Sequence, residues 1–64
     1  MAMTPKAARV NVGLNQIEAA EALNISKNTL SNYEKYKTTP DIELAKRMAE
    51  LYRCSVNDII FFKQ

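Results

Sequence analysis

The strongest constraint in this 64-residue chain is a recurring helix-start signal. Thr4, Asn15, Ser26, Asp41 and Ser55 each precede a stretch of helix-forming residues. Short oxygen-bearing side chains of this kind accept the free N–H groups at the start of a helix. Thr4 is followed by Pro5, which loses no needed donor at a first helical position. Asn15-Gln16-Ile17-Glu18 is a capping-box pattern, and Ser55-Val56-Asn57-Asp58 repeats it with Asp in place of Glu. The stop signals agree. Gly13 is placed to end the first helix, and Asn24 suits the left-handed end of the second. These marks predict about five short helices and an all-α compact bundle, read as one domain over residues 1–64. A chain of this length buries only about 60% of its unfolded surface, so local consistency matters more than core size.

The apolar pattern fits. Ile17, Ala20 and Leu23 share one face of the second helix, and Ile42, Ala45, Met48, Ala49, Leu51 and Tyr52 form the inner side of the fourth. The third helix, from about Lys27 to Lys35, is different. Leu30 and Tyr33 alone anchor it, and Lys27, Asn28, Thr29, Ser31, Asn32 and Lys35 form a wide polar face. A helix built only for core packing carries a broader apolar stripe. Ile59-Ile60-Phe61-Phe62 reads as the last short helix, with apolar groups around much of its circumference.

Several chemistries are disfavoured. There is no His and a single Cys, Cys54, so no disulfide forms within the chain and a zinc site lacks ligands. Cys54 also lacks a His to activate it, and reads as a small apolar residue in a reducing cytoplasm. No enzyme activity, metal or cofactor is expected, nor a small-molecule ligand. No signal peptide or membrane span is visible. The net charge is only +2, but it is uneven. Residues 15–23 carry Glu18 and Glu21 and no base, whereas 27–37 carry Lys27, Lys35 and Lys37 against Glu34 alone. A local basic edge suits a phosphate backbone. An ordinary solvated surface would hold the same lysines.

Two helices joined by the turn Asn24-Ile25-Ser26, the second with a polar outer face, form a helix-turn-helix pattern. Ala20 is small where the helices cross, Ile25 fills the space between them, and Leu30 packs beneath the second. In order and spacing, Ala8-Arg9, Leu14-Asn15-Gln16, Ala19-Ala20, Ile25 to Ser31, Tyr33-Glu34-Lys35, Pro40, Leu44-Ala45, Leu51-Tyr52 and Ser55 to Phe61 resemble the Cro/CI-type (XRE-like) helix-turn-helix family of phage repressors and bacterial regulators. The resemblance runs from about Lys6 to Phe61. It implies a lambda-repressor-like bundle with helices 2 and 3 as the helix-turn-helix, and a regulator that reads double-stranded DNA in the major groove.

By position, the resemblance implies Lys27, Asn28, Thr29 and Asn32 as base readers, the alternative being a solvated face. Lys suits guanine and Asn suits adenine. It implies phosphate contacts from Gln16, where the helix N-terminus adds free N–H groups. Ser31, Lys35, Tyr36, Lys37 and Thr38 join Gln16 as backbone candidates. Arg9 and Glu34 are implied to be a partly buried structural ion pair, with an Arg9–phosphate contact as the other option. The family often has Gly where this chain has Tyr36. A left-handed backbone there would strain a bulky residue, so the loop is expected to differ locally, with the Tyr36 hydroxyl reaching a phosphate.

Ile59, Ile60, Phe61 and Phe62 cannot all face one small core if helical. They are candidates for a homodimer surface that lets two copies read a twofold-symmetric operator. Burial within the chain is the competing expectation. A protein-interaction module of antitoxin-like or anti-regulator kind, acting through the same apolar patch, is the alternative function.

Overall fold

The computed structural model describes residues 2–62. Four α-helices, α1 (Pro5–Asn11), α2 (Gln16–Leu23), α3 (Lys27–Glu34) and α4 (Ile42–Leu51), are followed by one 3-10 turn, Val56–Asp58. Among the described residues no strand forms. A single parallel bridge joins Met3 to Ile59. No helix among them is long and apolar enough to cross a membrane.

The helix starts match the sequence reading residue for residue. The Thr4, Asn15, Ser26 and Asp41 side chains accept from the backbone N–H of Ala7, Glu18, Thr29 and Leu44, and Ser55 accepts from Asn57. Both capping boxes close, with Glu18 and Asp58 reaching back to the cap N–H groups of Asn15 and Ser55.

The helix ends share one device. In each, two N–H groups turn back on the last carbonyls in the reciprocal 6→1 and 5→2 pattern. For α1 these are Leu14 to Arg9 (3.3 Å) and Gly13 to Val10 (2.9 Å). For α2 they are Ile25 to Ala20 (3.0 Å) and Asn24 to Glu21 (3.1 Å). For α3 they are Lys37 to Asn32 (2.9 Å) and Tyr36 to Tyr33 (3.1 Å), and for α4 Cys54 to Ala49 (3.0 Å) and Arg53 to Glu50 (3.1 Å). The pattern needs a left-handed residue, supplied by Gly13 (φ 79°), Asn24 (59°), Tyr36 (61°) and Arg53 (59°). Glycine adopts this without strain, and Asn at little cost. For Tyr36 and Arg53 it costs about 1–2 kcal/mol each. The expectation that the loop at Tyr36 departs from a left-handed geometry is therefore corrected. The side chain is accommodated by half-burial, and its hydroxyl donates to the Ile60 carbonyl at 2.9 Å.

The core joins Ala8, Ala19, Ala20, Leu23, Leu30, Ala45, Met48, Ala49, Tyr52, Ile59 and Phe61. The alanines let α2 approach α3 and α4 closely, and Leu30 is fully buried. Two residues assigned to inner faces point outward: Ile17 is 56% and Ile42 66% exposed. Each lies in the first turn of its helix, where the bundle does not close over it.

The last short helix is present as a single 3-10 turn, and only its extension over Ile59 to Phe62 is corrected. Beyond the 3-10 turn the chain is extended, with Ile59 at φ −112°, ψ 130°. Met3 and Ile60 hold it by backbone hydrogen bonds: Met3 N–H to Asp58 carbonyl (2.7 Å) and Ile60 N–H to Met3 carbonyl (2.8 Å). In an extended segment successive side chains alternate sides. Ile59 and Phe61 thus turn into the core at 6% and 8% exposure, Ile60 is half-buried, and Phe62 is 69% exposed. Ile59 and Phe61 are corrected from dimer-surface candidates to core residues of this chain.

One ion pair crosses the core edge. Arg9 of α1 faces Glu34 of α3, with Nε donating to Oε2 at 2.7 Å and Nη2 to Oε1 at 3.2 Å. Their side chains are only 8% and 4% exposed. Arg9 Nη1 also donates to the Leu14 carbonyl (2.8 Å), and Gln16 Nε2 at the start of α2 donates to Glu34 Oε1 (2.9 Å). The structural reading of Arg9 and Glu34 has this geometry beneath it, and the network ties the first three helices at one point.

Two measurements check this packing. Removing one partner of a buried pair leaves an unmatched charge and costs ~3–5 kcal/mol. That is comparable to the whole stability of so small a domain, about 3–5 kcal/mol. Arg9→Ala is expected to abolish a cooperative urea transition, and Arg9→Lys to rescue little, because an ammonium cannot supply the two-pronged geometry. A loss below about 1 kcal/mol, the range of exposed pairs, would contradict the reading. The second concerns Tyr52, which is buried, with no hydrogen-bond partner for its hydroxyl among the described residues. Burial, then the Glu34 charge, pushes its pKa from 10.0 up to about 12. A raised folded pKa means stability is held below pH 10 and lost as pH rises through about 12. Tyr52→Phe is expected to be neutral or stabilising at pH 7 and to remove that alkaline loss, read from thermal melts of both proteins across the range.

Candidate nucleic-acid interface

The interface is built by the turn between α2 and α3. Asn24 reverses the chain, and half-buried Ile25 packs on the core. Ser26 then starts α3 with its side chain on the Thr29 N–H at 3.0 Å. With Leu30 buried beneath it and Glu34 clamped by Arg9 and Gln16, α3 is held at its middle and its end.

Its outward residues are the polar ones. Lys27 and Asn28 are exposed, and Ser31 and Asn32 are half-buried. Residues 28, 32 and 35 lie within about 60° of one another around the helix, opposite Leu30, at 100° per residue. The side chains of Asn28 and Asn32 make no hydrogen bond among the described residues, so each amide keeps its paired donor and acceptor for an outside partner. Thr29 is different. It is half-buried, and its hydroxyl lies 2.8 Å from the Ser26 hydroxyl, so it is engaged in the helix start.

Around this face lie the backbone candidates. Gln16 is half-buried, and its amide nitrogen donates one N–H to Glu34. Lys35, Lys37 and Thr38 are exposed on the loop after α3. Tyr36 stands apart from them, because its single hydroxyl proton is given to Ile60. Sequence reasoning missed the Gln16–Glu34 bond and this tyrosine bond. It also missed the Arg47 guanidinium on the Leu23 carbonyl at the end of α2 (3.1 Å). Each joins residues 18 to 24 positions apart, and no local pattern announces it.

Ile42, Ile60 and Phe62, with Pro40, Ala45 and Val56, line an apolar groove of about 540 Å³ between α4 and the C-terminal segment. Cys54 is half-buried, and burial, with the Asp58 charge, pushes its thiol pKa up, so the thiolate is disfavoured.

The chain is 42% identical over 55 residues to the HTH-type transcriptional regulator ImmR of Bacillus subtilis, an alignment covering 86% of this chain and 43% of that protein. It is 33% identical over 52 residues to the cryptic phage CTXphi transcriptional repressor RstR of Vibrio cholerae, covering 81% of this chain and 47% of that protein. The alignments thus span under half the length of these relatives. A helix-turn-helix family model matches residues 6–59, which takes in α2, α3, α4 and all of α1 but Pro5, the turn at Asn24-Ile25-Ser26 and the ion-paired Arg9 and Glu34. The chain belongs to the helix-turn-helix family.

Proposed function

We propose that residues 1–64 act as one sequence-specific, double-stranded-DNA-binding unit of a transcriptional regulator, of the phage or prophage repressor kind. The observation that carries this reading is the outer face of α3. Asn28 and Asn32, with amides free of internal partners, stand beside Lys27 on a helix locked at its base by Glu34. In the major groove Lys27 donates to guanine, and Asn28 and Asn32 pair with adenine edges. Thr29 offers its methyl group to a thymine. Gln16, Ser31, Lys35, Lys37 and Thr38 grip phosphates and set the register without reading sequence. The names of the two relatives, a transcriptional regulator and a phage repressor, support the same role.

The reading includes a homodimer on a twofold-symmetric operator. The described chain is 25 × 23 × 19 Å, so one copy covers one major groove, whereas half-sites lie ~34 Å apart. The groove bordered by Ile60 and Phe62 is the surface proposed for the second copy. An isologous contact needs a self-complementary patch, and exposed Phe62 beside the groove is one that a second copy's Phe62 and groove can meet.

Selection from a random duplex pool tests the proposal. A twofold-symmetric consensus is expected, with affinity falling steeply as salt rises. Asn32→Ala is expected to lose ~1–3 kcal/mol of discrimination at one base pair per half-site while tolerating changes elsewhere. No enriched sequence would reject operator reading and favour a protein partner at the groove.

A further inference from the structure

The end of α3 closes with the same reciprocal bonds as the other three helix ends but lacks the apolar contact that accompanies them. The residues that donate the 6→1 bond beyond α1, α2 and α4 are Leu14, Ile25 and Cys54, all half-buried against the core. The apolar contact that usually accompanies this helix ending is thereby present. Beyond α3 the equivalent residue is Lys37, which is exposed. Tyr36, one position earlier, supplies the anchor instead. It holds φ 61° and passes its hydroxyl proton to the Ile60 carbonyl at 2.9 Å. That carbonyl is itself fixed, because the Ile60 N–H donates to Met3 (2.8 Å) within the Met3–Ile59 bridge. The loop carrying Lys35 and Lys37 is therefore tied to the paired Met3 and Ile60 segments as well as to α3.

We propose that Tyr36 is a positioning residue for DNA-backbone binding: its bond to Ile60 holds the Lys35 and Lys37 backbone where both ammonium groups reach phosphates, and its hydroxyl does not itself touch DNA. This rests on the DNA-binding reading above. A phenol has one proton, and a phosphate oxygen only accepts, so the hydroxyl cannot serve both partners at once. The same bond ties the phosphate grip to the segment that carries Phe62, so DNA binding and pairing of copies share one backbone anchor.

The test is Tyr36→Phe, with affinity for the selected duplex measured as a function of salt. Each lysine–phosphate contact contributes about −0.9 to the slope of log affinity against log salt. The variant removes no charge. If it frees both lysines, the slope is expected to become shallower by about 1.8 per bound copy, at about 0.9 for each lost contact, with lower affinity at about 100 mM salt. In a Lys35→Ala, Lys37→Ala background, adding Tyr36→Phe is expected to change neither slope nor affinity. Reduced affinity with an unchanged slope would overturn the inference, since a direct hydroxyl–phosphate contact or a loss of folding acts that way. A further loss in the lysine-free background would overturn it too, as would a variant identical to the parent. No salt-sensitive duplex binding by the unsubstituted protein would overturn the proposed function and this inference with it.

Discussion

The fork between Arg9 and Glu34 is the interaction on which the rest depends. Two charges leave water at the edge of a small core, and desolvating them is repaid only when nearly every donor and acceptor finds a partner. Here the guanidinium spends Nε and Nη2 on Glu34 and Nη1 on the Leu14 carbonyl, and Glu34 also receives Gln16. The bonds reach α1, the turn after it, the start of α2 and the end of α3. A core this rich in alanine holds its helices close but offers little shape to orient them. The ion network adds fixed points among the first three helices, one of them at the end of α3.

Caps do the remaining local work. Five side chains satisfy the helix starts, and reciprocal hydrogen bonds close all four α-helix ends. Helices of seven to ten residues are too short to persist alone in water, and each owes its existence to these ends and to one buried stripe. The consequence for function is a rigid base with unspent polar groups on top. Asn28 and Asn32 have no internal partner among the described residues, while Thr29, the neighbour most engaged in capping, is the least available of the four base-reading candidates.

What the sequence made legible follows from range. Thr4, Asn15, Ser26, Asp41 and Ser55 act within three residues, so their pattern announces the helix starts directly. The polar face of α3 and the Arg9–Glu34 pair were legible for another reason: their spacing resembles a known family. The C-terminal segment was misread because its conformation is set by Met3, more than fifty residues away in sequence, which pairs with Ile59 and pulls the chain out of helix. The apolar run Ile59 to Phe62 fits a helix or an extended strand equally well until that partner is known. Tyr36 was misread for a related reason. Its left-handed backbone is unfavourable locally, and the half-buried ring and the Ile60 carbonyl that offset the cost lie outside any local window.

The DNA-binding face proposed for this protein is α3, the start of α2 and the loop after α3, rather than the groove at Phe62. Backbone amide NMR shifts during titration with the selected duplex test it most directly. The account expects the large changes at Gln16, at residues 27–32 and at residues 35–38, with residues 43–51 in the middle of α4 little altered. Shifts concentrated on Ile42, Val56 and Phe62, with Asn28 and Asn32 unmoved, would contradict it.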